Sequence, residues 1–342
     1  MFDDFHGNER VAAALEKMAA QDRIPQTLLM VGPQGIGKAT LARRFAARLL
    51  GGADKIERDD LSLPHNIELR GEREKWPSEK RAEEPLLLAS QPDFVTFPPD
   101  GPLRQISIQQ MRLLKERAQF LPLHGRWRIF LIDQIDRANE QAANSLLKTL
   151  EEPPDHLILF LTAENAYDLL PTIRSRAVPL YLARLSDSEI RRFVAGRGVS
   201  DVERRVSLAG GSPGLALSID LEEYDARREA MVALLEVASG VSPFSAWLTY
   251  SDKISMSRQE KLEDYLKVLY GLLADLLAVQ QSGGGIRNVD LRARLEGLAS
   301  RVNFDWIRAA TGKVDELVRL LRRNIQKSIA LDALILDLRP VV

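Results

Sequence analysis

The segment Gly32-Pro33-Gln34-Gly35-Ile36-Gly37-Lys38 has the residue types and spacing to hold a phosphate. Its glycines permit a tight turn with amide N–H groups pointing inward, between an apolar run at Thr27–Val31 and a helical pattern that opens at Lys38. A helix N-terminus adds partial positive charge there, and the lysine reaches the β- and γ-phosphates of a nucleotide. Gly32, Gly35, Gly37 and Lys38 are therefore candidate nucleotide-binding residues. The position after such a lysine should hold Ser or Thr, whose hydroxyl ligates Mg²⁺, but Ala39 occupies it. Thr40 follows and stays on the candidate list, yet one residue along a helix turns a side chain by about 100°, so it cannot simply replace the missing hydroxyl.

A second constellation is Ile129-Phe130-Leu131-Ile132-Asp133-Gln134. An apolar strand ending in Asp is a Walker B element, and Asp133 would hold Mg²⁺. In additional-strand ATPases the next residue is a Glu that polarises the attacking water; here it is Gln134, an amide that cannot take the proton. Loss of a general base costs about 10²–10⁴ in rate. Ala39 and Gln134 thus each remove hydrolysis machinery while leaving the phosphate cradle. The third constellation is Thr172-Ile173-Arg174-Ser175-Arg176. Most surface arginines pair with a carboxylate, but one at the edge of an ATPase domain can reach a neighbouring subunit's nucleotide.

These motifs need a parallel sheet to position them. Thr27–Val31, Asp93–Phe97, Ile129–Ile132, Leu157–Thr162 and Ala177–Tyr181 are nearly continuous apolar runs, the pattern of strands covered on both faces. Helical patterns at Arg10–Gln21, Lys38–Leu50, Ser107–Phe120 and Glu140–Leu150 alternate with them, which predicts an α/β domain. Gly51 to Ser90 interrupts the rhythm with charges of both signs, Gly and Pro, and reads as a partly disordered insertion. After Leu182 the strand signals stop. Ser186 with Glu189 forms a capping-box pattern, Asp201–Leu208 is helical, and from Glu222 the chain is helical with breaks at Ser242-Pro243 and Ser282–Gly285. The last helix is expected to carry Leu317, Leu320, Leu321, Ile325 and Ile329 on one face, flanked by Arg319, Arg322, Arg323 and Lys327. That basic flank is explained as a solvated or interfacial side.

Composition narrows the classes further. The chain has 47 Lys+Arg against 48 Asp+Glu, a net charge of −1, so a polyelectrolyte partner is not written into the balance. No cysteine is present, which excludes disulfides, Cys-ligated zinc, iron–sulfur clusters and thiol catalysis. With four scattered His no metal site is expected. The N-terminal residues lack a signal pattern and no apolar run approaches the ~20 residues of a membrane span, so a cytoplasmic protein is expected.

Asn144-Ser145-Leu146-Leu147-Lys148-Thr149-Leu150-Glu151-Glu152-Pro153-Pro154 resembles the signature of bacterial clamp-loader AAA+ subunits of DNA polymerase III. The stretches 7–50 and 172–176 fall in that family's order and spacing. The resemblance covers most of residues 7–220. It implies a P-loop AAA+ domain over 1–182 with the insertion at about 51–90, a helical lid over 183–238, and a helical collar over 239–342 that assembles a ring. Gly210–Gly214 is similar to the family's sensor 2 region but lacks its arginine; Thr162, Ala163 or Asn165 could each be sensor 1. Many members bind zinc through four cysteines after the P-loop helix; none is present here, so no zinc is carried over. Ser175-Arg176-Ala177 matches the family's Ser-Arg-Cys motif, which makes Arg176 the arginine finger for an adjacent subunit.

Active motor members keep Gly-Lys-Thr and Asp-Glu, whereas Gly-Lys-Ala and Asp-Gln match the stator member. The resemblance therefore implies a subunit with little or no hydrolysis of its own, monomeric when alone. Its partners would be the gamma/tau ATPase subunits and delta, with the sliding clamp and primed DNA reached through the complex. ATP, ADP or a bound anion is the expected occupant of the cradle. Two other functions compete: an autonomous AAA+ motor tolerating Ala39 and Gln134, and a nucleotide-sensing interaction protein outside replication.

Overall fold

The structure is a computed structural model that describes residues 2, 5–257, 261–281, 285–320 and 326–339. Its contacts divide the chain into two compact units, residues 1–217 and 218–342.

The first unit is built on β1 (Thr27–Val31), β2 (Leu88–Gln91), β3 (Phe94–Phe97), β4 (Arg128–Ile132), β5 (Leu157–Ala163) and β6 (Val178–Tyr181), in the order β2-β3-β4-β5-β1-β6. All neighbours are parallel except β2 against β3. Every residue of β1, β3, β4 and β5 is buried, because helices cover both faces. Alternate side chains therefore enter opposite layers. Leu28 and Met30 join Leu41 and Phe45 from helix Lys38–Leu50 in one layer, while Leu29 and Val31 join Leu114 and Leu146 from helices Ile108–Ala118 and Glu140–Glu151 in the other. Helices Asp187–Ala195, Val202–Ala209 and Pro213–Ser218 then extend the first layer through Ile190, Val194, Val206 and Ala216. The predicted Ser186–Glu189 capping box forms, with Glu189 N donating to Ser186 Oγ and Ser186 N to Glu189 Oε2.

The insertion departs from its expected partial disorder. It folds into helices Ala53–Ile56, Pro64–Glu74 and Ser78–Glu83, followed by β2. Its charges order it by pairing across distance. Arg43, almost fully buried, binds Glu57 at 3.0 Å and also Asp60; Arg73 binds Asp100 at 2.6 and 3.1 Å. Trp76 lies between the Arg73 guanidinium, 4.6 Å from its ring centre, and the Lys80 ammonium at 3.8 Å. High charge content signals disorder only while the charges lack such partners.

The second unit is helical, with Leu221–Ala238, Ser245–Met256, Leu262–Gln280, Arg292–Ala299, Phe304–Leu320 and Lys327–Leu338 as its main elements. Helix Leu221–Ala238, which the sequence assigns to the lid, packs here: Met231, Leu234, Leu235 and Ala238 are buried in the same core as Trp247, Leu269 and Leu331. Of the residues expected on one last helix, Leu317, Leu320 and Arg319 lie in Phe304–Leu320, and Lys327 and Ile329 in Lys327–Leu338. Leu321, Arg322, Arg323 and Ile325, like Ser282, Gly283 and Gly284 of the predicted break, lie outside the described residues.

Candidate nucleotide site and exposed arginine

The glycine-rich loop leaves the C-terminal end of β1 and enters helix Lys38–Leu50. Gly35 and Gly37 adopt φ of 72° and 99°, the left-handed region glycine favours. Space imposes a second demand. A Cβ on Gly35 would stand 2.7 Å from Ser212 Oγ and 2.9 Å from Leu215 N, and one on Gly37 would stand 2.8 Å from the Phe5 ring. The sensor 2-like segment thus lies directly on the loop: Ser212 Oγ donates to Gln34 O at 2.6 Å, and Gly214 N donates to Gly35 O at 2.8 Å. Lys38 curls back over the same turn, its Nζ donating to Gly32 O at 2.6 Å and Pro33 O at 2.8 Å.

Lys38 is 8% exposed, and burial lowers its pKa against the opposing pull of Glu164, Asp133 and Asp136. The strand order explains the grouping. β5 separates β1 from β4, so the ends of all three strands bring Lys38, Asp133 and Glu164 to one edge of the sheet. Thr162 Oγ1 donates to Asp133 Oδ1 at 2.6 Å and accepts from Gln134 N at 2.8 Å, at a residue whose φ is 57°. Among the sensor 1 candidates it is therefore Thr162 that touches Asp133. Ala163 ends β5, and Asn165 caps the next turn by accepting from Tyr167 N.

Thr40 goes elsewhere. Its Oγ1 accepts from Arg43 Nη2 at 3.5 Å, on the side of the insertion, as the 100° helical step dictates. Ala39 packs its methyl against the apolar layer beneath the helix. The donors suit a phosphate: loop amides and a buried ammonium that can exchange its two carbonyl partners for phosphate oxygens; Asp133 opposite is an acceptor suited to the phosphate's counter-cation. The site lacks the hydroxyl that would fix Mg²⁺.

Sequence reasoning missed three charged residues here. Asp136 sits one turn past Asp133, and burial, with Glu164 nearby, pushes its carboxyl up to about 6, against Arg137 and Lys38. Glu164 directly follows β5, a position that could have been read from the strand end. Arg70 comes from the insertion. Burial and the neighbouring Arg104 lower its guanidinium pKa, while Asp133 and Glu74 oppose them. No local signal in the sequence points Arg70 at Asp133.

Asp136 supplies a pH test. An acid whose pKa is raised on folding binds more protons in the native state, so stability falls as pH rises. The cost is absent below about pH 4, where both states are protonated, and complete above about 6. Asp136→Asn should remove it. The variant is expected to match the parent near pH 4 and exceed it by up to about 3 kcal/mol at pH 7 in urea unfolding. Parallel pH profiles for the two proteins would contradict this.

Arg176 lies apart from that edge. β6 runs parallel to β1, with Leu28 opposite Val178 and Val31 opposite Tyr181. The glycine-rich loop follows Val31, whereas Arg176 precedes Val178, so the two stand at opposite ends of the paired strands. At about 3.3 Å per residue that separation exceeds an arginine's reach. β6 is also the sheet's outer strand, and Arg176 is exposed beside it. Its Nη2 donates to Glu151 Oε1 at 2.7 Å and its Nη1 to Thr172 O at 2.8 Å. Nearby, the Arg174 guanidinium lies 4.8 Å from the ring centre of Tyr167, which is 78% exposed.

The fold and the loop together define a P-loop AAA+ type of protein. Residues 7–186 match the family described as DNA polymerase III, delta subunit, and residues 227–339 match the description of that subunit's C-terminal part. The chain belongs to the DNA polymerase III delta subunit family and is a clamp-loader-family subunit. It is 25% identical over 291 residues to DNA polymerase III subunit tau/gamma of Haemophilus influenzae, covering 83% of this chain and 36% of that protein. It is 33% identical over 190 residues to DNA polymerase III subunit delta' of Pseudomonas aeruginosa, covering 54% of this chain and 52% of the relative. Subunit tau of Escherichia coli is 29% identical over 190 residues, 56% of this chain and 26% of that protein. The matched region thus spans about half or less of each relative. No helix among the described residues is long and apolar enough to cross a membrane, and no cluster there could hold a metal ion.

Proposed function

We propose that this chain is a delta-prime type subunit of the clamp loader, a stator that helps place the sliding clamp on primed DNA. In this reading it joins gamma/tau and delta in a ring through its C-terminal helices, and offers Arg176 to the nucleotide of an adjacent ATPase subunit. One observation carries the reading. Arg176 is exposed at the end of the edge strand opposite the chain's own glycine-rich loop, so any phosphate it serves belongs to another molecule. Ala39 and Gln134 support it, since each deletes a group that hydrolysis needs.

Gly32, Gly35, Gly37, Lys38 and Asp133 would hold ATP, ADP or an anion without turnover, Lys38 Nζ leaving the Gly32 and Pro33 carbonyls to meet it. The lid contacts at Gln34 and Gly35 favour a fixed, closed loop over a cycling one.

Steady-state ATP hydrolysis by the pure chain tests the division of labour. The expected result is a rate indistinguishable from a Lys38→Ala variant. Robust turnover that Lys38→Ala abolishes would instead make the chain an autonomous motor.

A further inference from the structure

We infer that Glu151 is a positioning residue for Arg176, holding its guanidinium so that one edge stays open to a phosphate on a neighbouring subunit. The inference rests on the trans-acting reading of Arg176 and adds the group that acts through it.

The evidence lies in how the fork is shared. Arg176 Nη2 donates to Glu151 Oε1, and Nη1 donates to Thr172 O and, at 3.4 Å, to Ser175 Oγ. The contact with Glu151 is monodentate, and among the described residues Nε donates to nothing. Arginine–carboxylate pairs are frequently bidentate, closing with two parallel bonds. Arg191 and Glu203 in this same chain do so, through Nε and Nη2 at 2.6 and 2.7 Å. Arg176 is anchored at its tips, and its Nε edge remains unused.

Both anchors are rigid. Glu151 is the last residue of helix Glu140–Glu151, whose Leu146 and Leu150 are buried in the core. Pro153 and Pro154 fix the chain beyond it, and Gln26 Nε2 donates to Pro154 O at 3.3 Å. The helix's C-terminal end adds negative potential where the guanidinium sits. Thr172 lies in the short turn Pro171–Arg174, secured by buried Ile173. A free arginine side chain samples many rotamers, and ordering it during catalysis costs free energy. Two fixed acceptors remove that cost beforehand, and because they engage only the two terminal nitrogens, the Nε edge stays available to a triphosphate.

The test uses a reconstituted loader of gamma/tau, delta and this chain, with DNA- and clamp-stimulated ATP hydrolysis followed in single turnovers over a range of ATP concentrations, which give kcat and KM at the site Arg176 serves, and assembly followed by gel filtration. Glu151→Ala should lower kcat roughly fivefold with KM for ATP unchanged. Glu151→Gln, which keeps an acceptor oxygen, should restore most of it, and Glu151→Ala should add nothing to Arg176→Ala. Wild-type kcat in Glu151→Ala, beside a clear defect in Arg176→Ala, overturns the role of Glu151 alone. An undiminished rate in Arg176→Ala overturns the trans-acting reading itself. Defects of the two variants that multiply, or a loss of assembly that Glu151→Gln does not rescue, also overturn the positioning role.

Discussion

If Arg176 acts in trans, as proposed, Arg176→Ala is expected to slow hydrolysis at the neighbouring site by about 10³-fold, the lower end of the range for a trans-acting arginine. The guanidinium would meet charge developing on the γ-phosphoryl group. Arg174 is stacked against Tyr167 and points its charge at that ring. The side chain contributes little to stability, because it is exposed and its carboxylate partner is solvated. The variant should therefore assemble and melt like the parent. Single-turnover hydrolysis in a reassembled loader isolates the affected site from sites that Arg176 does not serve. Total steady-state turnover would fall by a smaller factor unless the sites fire in sequence. A single-turnover rate equal to the parent's would remove Arg176 from the chemistry and leave the chain a scaffold.

The second large effect is on stability. Trp247→Ala should cost about 3–5 kcal/mol, the range for deleting a fully buried large aromatic, and lower the melting temperature by roughly 10–15 °C. Trp247 has no exposed surface, lies in the C-terminal core and stacks on Tyr250 with ring centres 6.2 Å apart. Its Nε1 donates to Asp332 Oδ1, which also accepts from Ser251 Oγ at 3.0 Å. Truncation thus opens a cavity and also removes a hydrogen bond joining helices Ser245–Met256 and Lys327–Leu338. If these helices form the ring contact, as proposed, the variant should also fail to enter the loader at 37 °C. Circular dichroism melts and gel filtration of the mixed subunits read both effects. A melting point within a few degrees of the parent's would mean that the site collapses to fill the gap. The less severe Trp247→Phe keeps most of the volume but loses the bond to Asp332, and should fall between the two.

The sequence alone determined what local pattern encodes. The apolar runs of β1, β3, β4, β5 and β6, the glycine-rich turn opening a helix, Asp133 at a strand end, and the substitutions Ala39 and Gln134 are all legible because each depends on neighbours a few residues away. The Asn144–Pro154 stretch likewise pointed to the family that the comparisons show. Tertiary structure decided what depends on residues far apart. The insertion reads as disordered from its charge content, yet Arg73 and Asp100, 27 positions apart, close an ion pair that orders it. β2 escaped notice because only Leu88, at the end of the short Leu86–Leu88 run, is a large apolar residue in it, while Ala89 and Ser90 are exposed. Thr162 was one candidate among three until the adjacency of β4 and β5 put its hydroxyl on Asp133. Arg70 comes within electrostatic range of Asp133, and Glu164 of Lys38, only because the insertion and the end of β5 are brought to that edge. Most telling is Arg176. The sequence supplies its identity, but only the parallel register of β1 and β6 places it beyond its own loop, and only the end of helix Glu140–Glu151 brings Glu151 to its side. Strand order and register are properties of the assembled sheet, fixed by burying both of its faces at once, and no window of sequence contains them.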